Sequence, residues 1–262
     1  MKSTSKLKLT TRDIKLLGIA LLGSITLAMS NANPTAQEIL KKAEQKLAAS
    51  SMIATLDIAI QRPRWNKTMR MKTWTIGTDY ALAYILAPDK DKGTVYLKNK
   101  ENVYNYLPKI KKTIKLPATL LSQNWMGTDM STDDLVKLTK LTEDYTAKVS
   151  GSQTISGRLC YEITLIPKPT ADVLWGKIVT CIDQKDYIQL KSVFYDEDLE
   201  VVNTMVGSEI KNLGGKMMAS KMIMTPAGKS GHSTTVTYNS ITFNQKLATS
   251  FFAKENLPRV TP

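Results

Sequence analysis

Tyr80-Ala81-Leu82-Ala83-Tyr84-Ile85-Leu86 decides the fold class, because Tyr80, Leu82, Tyr84 and Leu86 sit at alternate positions and share one face. That is the period of an extended strand, not of a helix. Upstream, residues 55–61 and 68–76 keep the same period. Downstream, 93–98 and 103–107 read as two short strands parted by the polar turn Asn99-Lys100-Glu101-Asn102. Residues 108–117 alternate too, with Ile110, Ile114 and Leu116 on one side and Lys109, Lys111 and Lys115 on the other. A helical interlude follows: 120–126 reads as one short helix, and Ser131-Thr132-Asp133-Asp134 caps a second, its acids in the first turn where the helix dipole favours them. Strands return at 157–166, 176–183, 187–195, 200–206, 216–225 and 233–242. No repeat, linker or low-complexity tract divides the chain. The expectation is a mainly β (α+β) domain over 33–262, one antiparallel sheet of about ten or eleven strands with helices on one face.

Before the first strand, Thr35-x-x-Glu38 forms a capping box, and Ile39, Leu40, Ala43 and Leu47 then recur at helical spacing. This amphipathic helix needs an apolar surface to lie against. Over that surface it is a candidate lid.

Further upstream the sequence reads as an export signal. Lys2, Lys6, Lys8, Arg12 and Lys15 precede the uncharged apolar run 16–29, and Ser30-Asn31-Ala32 supplies small residues for cleavage after Ala32. The run is short for a transmembrane helix, although an uncleaved anchor is the competing reading. No Cys stands at the cleavage site to carry a lipid. The net charge of +13 becomes +9 without residues 1–32, which hold five Lys/Arg and one Asp. A cationic exported protein suits anionic headgroups and transient membrane contact better than nucleic acid, which it would seldom meet.

The cysteines, Cys160 and Cys181, are spaced C-x20-C, which is no metal-site pattern, and a single histidine, His232, cannot complete a zinc site. No cofactor motif is present, neither a Gly-rich phosphate loop nor C-x-x-C. If 159–166 pairs with 175–182 so that Ile163 faces Ile178 and Leu159 faces Ile182, Cys160 falls directly across from Cys181 on the outer, more polar face. In an oxidising compartment such a pair reads as a disulfide, with reduced structural thiols as the alternative. His232 lies in a Gly- and Ser-rich turn with no oriented partner, so no catalytic residue is assigned and the chain is not read as an enzyme.

What stands out instead is apolar and flexible. Met218, Met222 and Met224 crowd one strand and Met69 and Met71 another. Methionine suits irregular partners, whether a loosely packed core or a binding surface. A sheet of this many strands also carries more apolar residues than two short helices cover. The expected cavity lining is Tyr80, Leu82, Tyr84 and Leu86 with Met218, Met222 and Met224. The lysines of 109–115 protect an edge strand, or else meet anionic headgroups or a partner.

Pro88 with Lys92-Gly93-Thr94-Val95-Tyr96-Leu97, then Val103-Tyr104-Asn105-Tyr106-Leu107-Pro108, then Trp125-Met126-Gly127-Thr128-Asp129-Met130-Ser131 with Asp133-Asp134-Leu135, resemble the outer-membrane lipoprotein-sorting protein family, the LolA/LolB-like group. The ending, Ile241-Thr242-Phe243 with Phe251-Phe252 before Leu257, resembles it as well. The likeness is to the branch found alongside RND-type lipid exporters. It implies an incomplete antiparallel β-barrel with helices filling its concave face, and an apolar cavity for the acyl chains of a lipid or lipoprotein. It also implies periplasmic transfer between envelope membranes, with an RND-type inner-membrane exporter as a partner. Two departures stand out: the arginine that locks the LolA lid has no recognisable counterpart, and without a lipid-bearing Cys the chain does not match a LolB-type anchored acceptor. A carrier is therefore weighed against a periplasmic interaction or sensor protein or an exporter subunit. A hydrolase is the third reading.

Overall fold

The structure, a computed structural model, describes residues 33–132, 141–171 and 173–262. The expected leader over 1–32 and the acids Asp133 and Asp134 of the second expected helix lie outside these residues. Pro34–Pro262 forms one compact unit.

Helix α1 (Ala36–Leu47) opens the unit with the expected capping box: the Thr35 hydroxyl accepts from the Glu38 amide, and the Glu38 carboxylate accepts from the Thr35 amide. Six strands follow, β1 (Ser51–Arg62), β2 (Trp65–Ile76), β3 (Tyr80–Ala87), β4 (Val95–Asn99), β5 (Asn102–Leu107) and β6 (Lys112–Lys115). Among the described residues, two short helices, α2 (Ala118–Leu121) and α3 (Leu141–Asp144), and a 3-10 turn at Trp125–Gly127 interrupt the strands. Then come β7 (Tyr145–Ile155), β8 (Arg158–Pro167), β9 (Lys177–Asp183), β10 (Gln189–Tyr195), β11 (Val201–Leu213), β12 (Lys216–Pro226) and β13 (Ser233–Phe243). Two 3-10 segments, Thr249–Phe252 and Lys254–Arg259, end the chain.

All thirteen strands join one antiparallel sheet in the order β6-β5-β4-β3-β2-β1-β13-β12-β11-β10-β9-β8-β7. Among the described residues β6 and β7 do not pair with each other, so the sheet is open. The pairing of β1 with β13 joins two runs of hairpins into one surface. The long β11–β12 hairpin turns at Gly214-Gly215, both at positive φ, and a side chain on Gly214 would run into the Ile241 carbonyl oxygen at 2.7 Å.

Several expectations need correcting. Among the described residues there are thirteen strands, not about ten or eleven, and of them β7 alone has no counterpart among the segments read as strands. As an edge strand it is mostly exposed: Tyr145, Ala147 and Val149 alternate at its start, but the polar run Ser150-Gly151-Ser152-Gln153-Thr154 carries no apolar row. The expected strand over 108–117 is a turn followed by the short β6, closed by the Lys111 amide donating to the Pro108 carbonyl. The single helix expected over 120–126 is broken, with Met126 at φ +48.

The β8–β9 register is two residues from the expected one: Ile163 faces Thr180, Leu165 faces Ile178, and Cys160 faces Asp183. A slip of two keeps every side chain on its face, so hydrophobic pattern fixes parity and cannot choose between these registers. Cys160 and Cys181 are thus diagonal neighbours, each a free thiol, instead of a directly opposed bridge. Nor are they on a solvated outer surface, since both are buried with Ile188, Leu190 and Ala219.

Candidate functional site: the helix-bearing face

Alternation and register together assign every strand residue to one of two faces. One face collects Leu56, Ile58 and Ile60 of β1, Met69 and Met71 of β2, Ala83 and Ile85 of β3, Val236 and Tyr238 of β13 and Met222 of β12. Trp125, Met126 and Met130 lie over them from the turn after α2. Farther along the same face, Ile163, Leu165, Ile178 and Ile182 meet Ala36, Ile39 and Leu40 of α1, with Tyr145 between. The turn and the helix therefore cover two ends of one surface. Between them lie Met205 and Met224, paired across β11 and β12, and a polar patch in which the Gln189 amide donates to Ser192 Oγ at 2.7 Å.

The opposite face is covered differently. Trp74, Leu82, Val95, Leu97 and Tyr106 pack beneath Phe252, Leu257 and Val260 of the C-terminal 3-10 segments, flanked by Tyr80 and Tyr84. Tyr80 and Phe252 lie 5.5 Å apart between ring centroids, and Trp74 and Phe251 5.6 Å.

This arrangement splits the expected cavity lining. Tyr80, Leu82 and Tyr84 share a face as expected, with Leu86 half-buried at its end, but that face is the one plugged by the chain's own tail. Met218, Met222 and Met224 alternate onto the helix-bearing face, where Met222 packs against the cluster under Trp125. Neighbouring residues Ala83 and Ile85, not the tyrosines, are what β3 adds to it. Of the expected lid residues, Ile39 and Leu40 are fully buried, Ala43 packs at the margin and Leu47 is exposed.

The turn over the site is held by a polar clamp. Arg62, at the end of β1, donates to Asp129 Oδ1 at 3.0 Å, to the Gly127 carbonyl at 2.6 Å and to the Ser233 carbonyl at 3.0 Å. Thr234 of β13 donates its hydroxyl to Asp129 Oδ2 at 2.7 Å and accepts from the Asp129 amide at 2.9 Å. Arg62 is 9% and Asp129 5% exposed in their side chains, so the pair is largely out of water. Gly127 turns at φ +87, where an added Cβ would sit 3.4 Å from the Trp65 ring. The clamp and the apolar β1 and β13 residues escaped the sequence reading. Asp129 stood in a noted motif, yet nothing local pairs it with residues 67 and 105 positions away.

The site's buried polar groups are shifted by desolvation. Burial raises the Tyr238 phenol, and burial, followed by the Asp144 charge, pushes Tyr145 up to about 12. The Tyr145 hydroxyl has no hydrogen-bond partner among the described residues. On the other face, burial and then the neighbouring Cys160 thiol push Cys181 up to about 12. His232 is in the β12–β13 turn with Nδ1 3.2 Å from the Ser230 carbonyl, and among the described residues no cluster of His, Cys, Asp and Glu could hold a metal. What the arrangement can do is bind: it offers an apolar face, covered at two ends by separately tethered segments.

A family model described as uncharacterized proteins matches residues 77–259. The chain belongs to that family. No curated protein matches the sequence. Among solved structures, this chain is similar in fold to a DUF1329 family protein from Desulfovibrio piger, with a TM-score of 0.77 at 18% identity, covering 85% of this chain and 97% of that one. It is similar to an outer membrane lipoprotein-sorting protein domain from Vibrio parahaemolyticus, with a TM-score of 0.76 at 22% identity over 86% and 98% of the two chains. A LolA superfamily protein from Nitrosomonas europaea gives a TM-score of 0.70 at 21% identity over 85% and 99%. The chain therefore has a LolA-like open β fold.

Proposed function

We propose that this protein is a periplasmic carrier that holds the acyl chains of a lipid or lipoprotein against the helix-bearing face and transfers them between envelope membranes. The observation that carries the reading is the convergence of five methionines from three separate segments. Met69 and Met71, Met126 and Met130, and Met222 meet on one apolar surface. Thioether side chains repack around disordered tails. Each buried methylene contributes about 0.8 kcal/mol, so a long chain is held without a covalent step. The role is non-enzymatic. Export by the 1–32 leader with cleavage after Ala32 places the mature chain, from Asn33, in the periplasm, and an RND-type inner-membrane exporter is the proposed donor or acceptor. The LolA-like fold and the lipoprotein-sorting neighbour support this reading.

Mass spectrometry of organic extracts from freshly purified protein tests it. Co-purifying lipid in wild type, lost in Met222→Asp with the fold intact, is the expected result. Lipid-free wild type that also fails to take up a fluorescent fatty acid would overturn it. A second reading, an interaction protein or exporter subunit, draws on β7, whose outer backbone edge is unpaired among the described residues and open to an added strand. A stable stoichiometric complex that forms without lipid would favour it.

A further inference from the structure

The β5–β6 hairpin carries a surface that the carrier reading does not use. Pro108 to Lys111 forms a tight turn closed by the Lys111 amide on the Pro108 carbonyl at 3.2 Å, with Lys111 at φ +51. Lys109 and Ile110 are its central residues, so Ile110 stands at the tip between two lysines. It is 55% exposed, and Ile114, on the following strand, is 44% exposed. Every residue from Lys109 to Lys115 is exposed. From residue 102 to residue 128 the chain holds Lys109, Lys111, Lys112 and Lys115 and no Asp or Glu. None of these four lysines makes an ion pair among the described residues.

Edge protection explains lysines along β6, where like charge discourages strand pairing. It does not explain the isoleucine at the tip, since an exposed apolar side chain there invites association. The adjoining loop after β3 does not neutralise the tip. It approaches through Gly93, whose added Cβ would lie 3.3 Å from Pro108, and its Asp89, Lys90, Asp91 and Lys92 balance one another, with Asp91 paired to Lys67 at 2.9 Å. An uncompensated cationic tip around one projecting aliphatic side chain matches one kind of partner: a surface with fixed negative charge above an apolar layer.

We propose that the 108–112 tip docks the protein onto an anionic lipid bilayer, the lysines meeting headgroup phosphates and Ile110 entering the acyl boundary. Docking brings the β6 edge of the sheet to the membrane, leaving α1, at the β7 end, farther along the sheet. Each lysine near an anionic surface strengthens binding roughly fivefold, and the attraction fades within a Debye length.

Vesicle flotation of the protein as purified from expressing cells tests this, using phosphatidylcholine vesicles with and without phosphatidylglycerol. Variants sharing the wild-type N-terminus isolate the tip's share. Wild type should bind the anionic vesicles more tightly, and salt should weaken that binding. Replacing Lys109, Lys111 and Lys112 with Gln should weaken it roughly 100-fold and flatten the salt dependence. Ile110→Ser should weaken it roughly tenfold and leave the salt dependence unchanged. All variants should melt as wild type and keep its co-purifying lipid, which separates failure here from failure of the carrier reading. Equal binding by wild type and the triple variant would overturn the proposal. So would sedimentation showing a dimer that Ile110→Ser dissolves, without vesicle binding, because the tip would then serve a second copy of the chain.

Discussion

Arg62 and Asp129, 67 residues apart in sequence, form an ion pair at 3.0 Å in which both side chains are almost wholly withdrawn from water. The pair pins the turn that carries Trp125, Met126 and Met130 onto β1, and Thr234 ties the same carboxylate to β13. A buried pair gains little over an apolar substitute, but removing one partner strands a desolvated charge. Arg62→Ala should therefore cost about 3 kcal/mol of unfolding free energy, measured by urea denaturation. In the carrier reading it should also speed fatty-acid exchange, because the cover over the methionines loses its tether. Unchanged stability and exchange would show that the turn is held by its apolar contacts alone.

Leu82 and Met222 should respond differently to substitution. Leu82 is 1% exposed beneath the C-terminal tail, whereas Met222 is half-buried on the helix-bearing face. Leu82→Ala should cost about 2–5 kcal/mol and leave any lipid specificity intact in the folded fraction. Met222→Asp should fold and lose lipid. Circular dichroism with lipid extraction distinguishes them, and the reverse pattern would put the binding surface under the tail.

Ile39 is the residue by which α1 grips the β7–β9 end of the sheet, fully buried among Tyr145, Ile163 and Leu165. Ile39→Ala should cost about 2–5 kcal/mol. If α1 is the moving cover, amide exchange should rise first in residues 36–47, before the central strands open. Simultaneous loss of protection everywhere would make α1 part of the core and not a lid.

Cys160 and Cys181 are buried thiols, and they should react slowly with a thiol reagent in the native protein and fast once it is unfolded. A linked Cys160–Cys181 peptide in a non-reducing map would instead show that the diagonal pair closes.

Alkaline stability follows from the raised groups. Cys181, ordinarily at 9.0, and Tyr145, ordinarily at 10.0, are both pushed up to about 12, so the folded chain keeps protons that the unfolded chain releases. Their contribution is complete below about pH 9 and is lost as pH rises towards 12. Urea midpoints should fall across that window, and less steeply in Cys181→Ser/Tyr145→Phe. An identical slope in the double variant would remove these groups as the cause.

Strand period, the α1 capping box and which residues of a strand share a face were legible from sequence, because they depend on neighbours two to four positions away. Tyr80, Leu82 and Tyr84 do share a face, as do Met218, Met222 and Met224. The register of β8 against β9 was legible only in parity, since a shift of two conserves every face. β7 was missed although Tyr145, Ala147 and Val149 alternate, because that short row gives way to the exposed polar stretch 150–154 of an edge strand.

By itself, then, the sequence determined an antiparallel, mainly β chain with an amphipathic first helix, since those features follow from local period and local hydrogen bonding. Only the tertiary structure decided which side of the sheet each apolar row would join. Alternation gives every strand two faces and does not label them. The labels come from what packs on each face: the tail beyond β13 covers Leu82 on one, and the turn held by Arg62 and Thr234 covers the methionines on the other. Those partners lie far off in the chain, and only pairing across the whole sheet brings them together.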